Sequence, residues 1–149
     1  MRKLFCALLI LALWIGTAAA EQTLTLPDGQ HSLLIPDCME RITDGFTDPD
    51  LRMILLDRGI SLEIEIYSHP GKSMSIQEMA EKLYSAGKAV ELREVSGIGM
   101  LCYRETDETD GAPCIGYVYE TPDGLTEITF WYGTEEAALE CETIMLNFC

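Results

Sequence analysis

Ile98-Gly99-Met100-Leu101-Cys102-Tyr103-Arg104, Cys114-Ile115-Gly116-Tyr117-Val118-Tyr119-Glu120 and Leu125-Thr126-Glu127-Ile128-Thr129-Phe130-Trp131-Tyr132 follow one another along the chain. Aromatic and β-branched residues dominate the second and third runs, as a pleated, half-buried surface favours. Thr121-Pro122-Asp123-Gly124 separates those two, with proline pre-setting φ and glycine supplying a positive one. Alternation places Ile128, Phe130 and Tyr132 on one face and Glu127, Thr129 and Trp131 on the other. Ile115, Tyr117 and Tyr119 alternate likewise, and a polar loop from Glu105 to Pro113 joins the first two runs. The whole stretch, Ile98 to Tyr132, reads as an antiparallel meander.

Downstream, Gly133-Thr134 introduces a helix with Thr134 as N-cap, Glu135 and Glu136 near its positive end, and a stripe of Ala138, Cys141, Ile144, Met145 and Phe148. Upstream, Lys88 to Ser96 reads as a strand. Before it, Ser75 and Glu78 fit a capping box, Ile76, Met79, Ala80 and Leu83 form an apolar stripe, and Gly87 suits the position after a helix. Leu62, Ile64 and Ile66 alternate with Glu63, Glu65 and Tyr67, which predicts a strand with one buried face and one acidic, wet face. Leu51 to Leu56 pairs with it across Asp57-Arg58-Gly59, and Ser68-His69-Pro70-Gly71-Lys72 is expected to end it. Thr23 to Leu26 and His31 to Ile35 form a first hairpin about Pro27-Asp28-Gly29, and Cys38 to Asp50 reads as an irregular acidic connection. The order ββ-ββ-α-ββββ-α predicts an α+β fold, a mainly antiparallel sheet covered by two amphipathic helices.

The N-terminus has the layout of a secretory signal. Arg2 and Lys3 precede an apolar run from Leu4 to Ile15, and Ala18-Ala19-Ala20 supplies a small-residue exit. The apolar run is short of the roughly 20 residues that a spanning helix needs. Residues 1–20 are therefore expected to be a cleaved signal peptide and 21–149 a single domain, secreted or periplasmic and without a stable membrane span. Cys6 lies inside the apolar run without the flanking residues of a lipid-attachment box.

Ten basic residues, less Arg2 and Lys3, leave eight against 25 acidic ones, a net charge of −17 beyond Ala20. Such a field repels nucleic acid and anionic membranes; it suits cationic partners, metal ions or plain solubility. Five cysteines remain: Cys38, Cys102, Cys114, Cys141 and Cys149. An oxidising compartment allows disulfides. Cys102 and Cys114 are centred close to the midpoint of the loop between their strands, so a cross-strand bridge between them is expected. Cys141 and Cys149 are too far apart along one helix to bond. That leaves Cys38 to pair with Cys149, or alternatively with Cys141.

No motif assigns chemistry. There is no Cys-x-x-Cys; His31 and His69 sit in a turn or at a strand edge; Asp107, Glu108 and Asp110 miss the calcium-loop pattern. No nucleophile elbow or phosphate-cradling glycine loop occurs. Catalytic, cofactor and metal residues are accordingly expected to be none.

Leu26-Pro27-Asp28-Gly29 through Leu34-Ile35-Pro36-Asp37 resembles the first hairpin of PsbP-like domains. The Ile128-Thr129-Phe130 strand, followed by a helix carrying Ile144 and Met145, resembles their close. The resemblance implies an α/β/α sandwich around an antiparallel sheet and implies no catalytic residue. The sequence thus points to a small, acidic, secreted binding or assembly module of the cell envelope. Its partner would be an unidentified protein or small molecule. The alternatives are an extracytoplasmic hydrolase and a protease-inhibitor-like scaffold presenting the loop Glu105 to Pro113.

Overall fold

A computed structural model describes residues 20–71 and 74–149; all of the expected 1–20 signal segment except Ala20, Cys6 included, lies outside the described residues. In chain order the elements are β1 Glu21–Thr25, β2 Ser32–Pro36, β3 Glu40–Ile42, β4 Leu51–Asp57, β5 Leu62–Pro70, α1 Ile76–Ser85, β6 Ala89–Val95, β7 Ile98–Thr106, β8 Pro113–Thr121, β9 Gly124–Tyr132 and α2 Glu135–Leu146. Seven strands form one sheet in the order β3-β4-β5-β9-β8-β7-β6, every pairing antiparallel, and β1-β2 form a separate hairpin. This is the expected α+β architecture. Among the described residues no helix is long and apolar enough to cross a membrane.

Alternation along β5 and β9 divides the sheet into two unlike faces. Ile64, Ile66, Ile128 and Phe130 are fully buried on the first face, beneath the β1-β2 hairpin (Leu24, Leu33, Ile35) and α2 (Ala137, Cys141, Ile144, Met145). Each such aliphatic or aromatic side chain contributes about 1.5–3 kcal/mol by leaving water. On the second face α1 sets Met79 and Leu83 against Leu101, Tyr103, Val118 and Leu125. Ten residues long, α1 lies over β6, β7, β8 and the Leu125 end of β9, and leaves β4, β5 and the rest of β9 without a helix on that side.

The local signals work as the sequence predicts. The Ser75 hydroxyl accepts from the Glu78 amide while the Glu78 carboxylate accepts from the Ser75 amide. Gly87 follows α1 with φ +80°, and Thr134 caps α2 by accepting from the Ala137 amide. Three details differ. A short strand, β3, forms within the supposedly irregular 38–50 segment, pairing Arg41 with Leu55. β5 continues through His69 to Pro70, because Pro70 is its last residue and sits opposite Gly124. Ala137 rather than Ala138 leads the buried stripe of α2.

Two glycines are required by close approach: a Cβ on Gly124 would lie 2.1 Å from the His69 carbonyl oxygen, and Gly116 faces a side chain. A Cβ on Gly116 would lie 2.2 Å from the Tyr103 ring, which lies across β8 at that point. Gly116→Ala is expected to lower stability by about 1–3 kcal/mol in urea unfolding, the usual cost of overpacking. In a Tyr103→Ala background the same glycine substitution is expected to cost much less. No change on Gly116→Ala would mean that the ring does not lie there.

Candidate functional site

The open half of the second face is built by register. Glu63, Glu65 and Tyr67 of β5 stand opposite Trp131, Thr129 and Glu127 of β9, and Ile54 and Leu56 of β4 stand opposite Glu65 and Glu63. All therefore share one side of the sheet. Three acidic and two aromatic side chains occupy a surface where a buried sheet would carry aliphatic ones.

Hydrogen bonds hold this surface in two groups. In the first, Glu65 Oε2 accepts from Trp131 Nε1 at 2.9 Å and from the Tyr67 hydroxyl at 3.0 Å. In the second, His69 Nδ1 meets Asp50 Oδ2 at 3.0 Å and Nε2 meets Glu127 Oε2 at 2.8 Å. The other Glu127 oxygen accepts from the Tyr103 hydroxyl at 2.5 Å. Tyr103 stands on β7, two strands from β9, a separation of roughly 9.5 Å. Its ring spans that gap because Gly116, on the strand between, has no side chain. Tyr67 stacks parallel to His69 with ring centres 6.1 Å apart.

Electrostatics follow from these contacts. The bond to Glu127 raises the His69 pKa above its ordinary value; burial opposes this, and Asp50 adds to the rise. Burial and then the neighbouring Glu65 push the Glu63 carboxyl up. Burial, then Glu65, raises the Tyr67 hydroxyl, and burial, then Glu127, raises that of Tyr103. The surface thus holds the His69 imidazole between two carboxylates that favour its protonated form, and keeps both phenols protonated. A hollow of about 300 Å³ opens beside Trp131, bounded in part by Leu56, Glu63 and Asp110.

Both ring nitrogens of His69 face carboxylates, so neither is free to act as a base. His31 is held at one ring nitrogen. Its Nδ1 lies 2.7 Å from Asp28 Oδ2, which also accepts from the Tyr119 hydroxyl at 3.0 Å, and its ring stacks on Phe148. Burial opposes ionisation of Asp28, but bonds from the His31 ring, the Gln30 and His31 amides and Tyr119 together lower its pKa. This group locks the first hairpin to the end of α2. Among the described residues no three His, Cys, Asp or Glu side chains converge on a metal position.

The structure does not bring the cysteine pairs together. Cys102 stands opposite Tyr117 and Cys114 opposite Glu105, so the two thiols lie on different faces of the sheet and in different core clusters. The cause is the turn. Asp107 N–H bonds the Ala112 carbonyl, Asp107 Oδ1 accepts from the Thr109 and Asp110 amides, and Gly111 takes φ +76°. These contacts centre the hairpin between Thr109 and Asp110, and an odd shift in register reverses the face of every side chain. The same tight turn occupies the place of the extended inhibitor-like loop. Cys38 donates to Asp57, while Cys149 lies against Ser32 at the far end of β2, about 13 Å along the strand from Pro36. Cys141 is buried and donates to the Ala137 carbonyl. Each is a free thiol in the structure.

No protein-family model matches the chain, and no curated relative matches it in sequence. Solved structures do match in shape. The solution structure of cyanobacterial PsbP (CyanoP) from Synechocystis sp. superposes with a TM-score of 0.64 at 13% identity, over 90% of this chain and 95% of that one. A crystal structure from Bacteroides thetaiotaomicron superposes with a TM-score of 0.58 at 13% identity, over 86% of this chain; the match spans 47% of that longer chain. The PsbP-like fold is thereby shown.

Because the folded pKa of His69 is raised, its contribution to stability is complete below its ordinary value of 6.5 and is lost as pH rises through the folded value. The difference in thermal midpoint between wild type and His69→Gln is expected to shrink as pH rises from about 6 to about 9. A difference that stays constant across that range would contradict the ion-paired imidazolium.

Proposed function

We propose that the chain is a non-enzymatic binding module working outside the cytoplasm, at the cell envelope, and that it holds a cationic protein segment on the open face over β4, β5 and β9. The observation that carries this reading is Trp131. Its indole is fixed by Glu65, flanked by Glu63 and Asp110, and bordered by a hollow. A lysine or arginine side chain entering that hollow would meet the Glu63 and Asp110 carboxylates, with the Arg58 guanidinium at its edge paired to Glu40, and could lie over the indole face, a cation–π contact strengthened by partial desolvation. The backbone beneath is rigid sheet, so little ordering is required on binding. The strongly acidic composition adds attraction at longer range.

Export is supported by the signal-like N-terminus. The ladder of β1 begins at Glu21, immediately after the expected cleavage position. The hydrolase alternative would need a histidine with a free ring nitrogen beside a nucleophile; both nitrogens of His69 face carboxylates, and His31, held at Nδ1 by Asp28, has its ring stacked on Phe148.

Trp131 also provides the test. The sequence has two tryptophans, and the other, Trp14, lies in the signal segment. Titrating residues 21–149 with oligolysine is expected to shift Trp131 emission, with affinity falling as salt rises. Glu63→Gln/Glu65→Gln is expected to weaken binding at least about fivefold, whereas Glu135→Gln/Glu136→Gln on α2 leaves it unchanged. Equal weakening by both pairs would show diffuse charge attraction and sink the assignment to this face.

A further inference from the structure

The other face of the sheet carries a second feature, which goes beyond the reading above and does not depend on it. Beside the end of α2 a cleft of about 340 Å³ remains over β6, β7 and β8. Its floor is Arg93, Arg104, Ile115 and Tyr117; Met145 and the 80% exposed Leu146 form its wall. The volume is within the range of small-molecule sites, as is a mainly apolar lining with few polar groups.

The polar groups are specific. Arg93 and Arg104 are two of the eight basic residues beyond Ala20 in a strongly acidic chain. Register puts both on the face that carries Tyr117: Arg93 opposite Met100, Cys102 opposite Tyr117, and Arg104 opposite Ile115. Arg93 is held by Glu91. Among the described residues Arg104 has no carboxylate within ion-pairing distance. The Tyr117 ring is buried edge-on against Phe130, 6.0 Å between centres. Burial raises its pKa to about 12, the neighbouring Cys102 adds to the rise, and Arg93 and Arg104 oppose it, so the phenol stays protonated and able to donate. Among the described residues its hydroxyl has no hydrogen-bond partner, and no buried side-chain polar atom lacks one, so that oxygen meets the cleft. Glu142 on α2 also lines the cleft, whereas the side chain of Glu94 belongs to the opposite face, since its neighbours Arg93 and Val95 alternate with it.

We infer that this cleft binds a small amphipathic monoanion, its apolar body against Ile115, Tyr117 and Met145 and its acidic head between the Arg104 guanidinium and the Tyr117 hydroxyl. Arg104 supplies the charge-assisted bond and Tyr117 a second donor. Glu142 limits the site to a single negative charge and disfavours multiply charged heads. A carboxylate or a phosphate monoester head would satisfy the same donors.

Calorimetric titration of residues 21–149 with decanoate, decyl phosphate, decanol and decyltrimethylammonium, all below their aggregation concentrations, tests the inference. Saturable one-to-one binding of decanoate is expected, with decyl phosphate weaker where it carries its second charge. The alcohol and the cation are expected to bind at least about tenfold more weakly. Arg104→Gln is expected to weaken decanoate about tenfold and Tyr117→Phe severalfold, while Glu142→Gln tightens it. Arg104 and Glu142 are exposed, so their variants should keep the wild-type thermal midpoint. Absence of saturable decanoate binding, equal binding of the cation, or an Arg104→Gln variant as tight as wild type would each overturn the inference. None of these outcomes involves the oligolysine surface.

Discussion

The pairing of β5 with β9 is the constraint on which the molecule depends. Nine residue pairs run without interruption from Leu62 opposite Tyr132 to Pro70 opposite Gly124. These two strands lie next to each other in the sheet although far apart in sequence, so their ladder joins the N-terminal hairpin unit, β4 and β5, to the C-terminal meander. A slip of one residue would move Ile64 and Ile66 to the side of Glu127 and Trp131, exchanging core for surface along the whole strand. The all-or-none cost of that exchange is what fixes the register.

Both candidate surfaces follow from the same alternation. Where one strand position is buried beneath α2 or the first hairpin, its neighbour must project from the other side. α1 is long enough to cover only β6, β7, β8 and the Leu125 end of β9. The uncovered positions of β4, β5 and β9 carry carboxylates and aromatics whose polar atoms satisfy one another, through Glu65 to Trp131 and Tyr67 and through His69 to Asp50 and Glu127. Such mutual satisfaction lets a carboxylate-rich surface sit on a sheet without a helix above it. On the opposite side α2 stops short of the β6 edge, and the gap is lined by arginine and tyrosine.

Much of this order was legible in the residues. The alternation of Leu62 to Tyr67 and of Leu125 to Tyr132 identified both strands and the sides of their side chains. The Ser75-Glu78 box and Thr134 located the helix starts because capping is a local interaction. β3 escaped because three residues, Glu40-Arg41-Ile42, offer too short a pattern to read. The β7-β8 register escaped because the Asp107 side chain, through its bonds to the following amides, sets where the turn closes, and a symmetric reading of the loop places that centre too early. The Asp50-His69-Glu127-Tyr103 contacts and the Arg104-Tyr117 cleft join residues distant in sequence. They become visible only once strand order and register are known, although the acidic, wet face of the Glu63-Glu65-Tyr67 run was already a signal for the first of them.

Amide hydrogen exchange of residues 21–149, resolved by residue, addresses the central pairing directly. Hydrogen-bonded amides of Leu62–His69 and Leu125–Trp131 are predicted to exchange only through global unfolding, more slowly than those of the edge strands β3 and β6. Exchange of the β5 and β9 amides at edge-strand rates would contradict the account, because the two faces would then have no common register to define them.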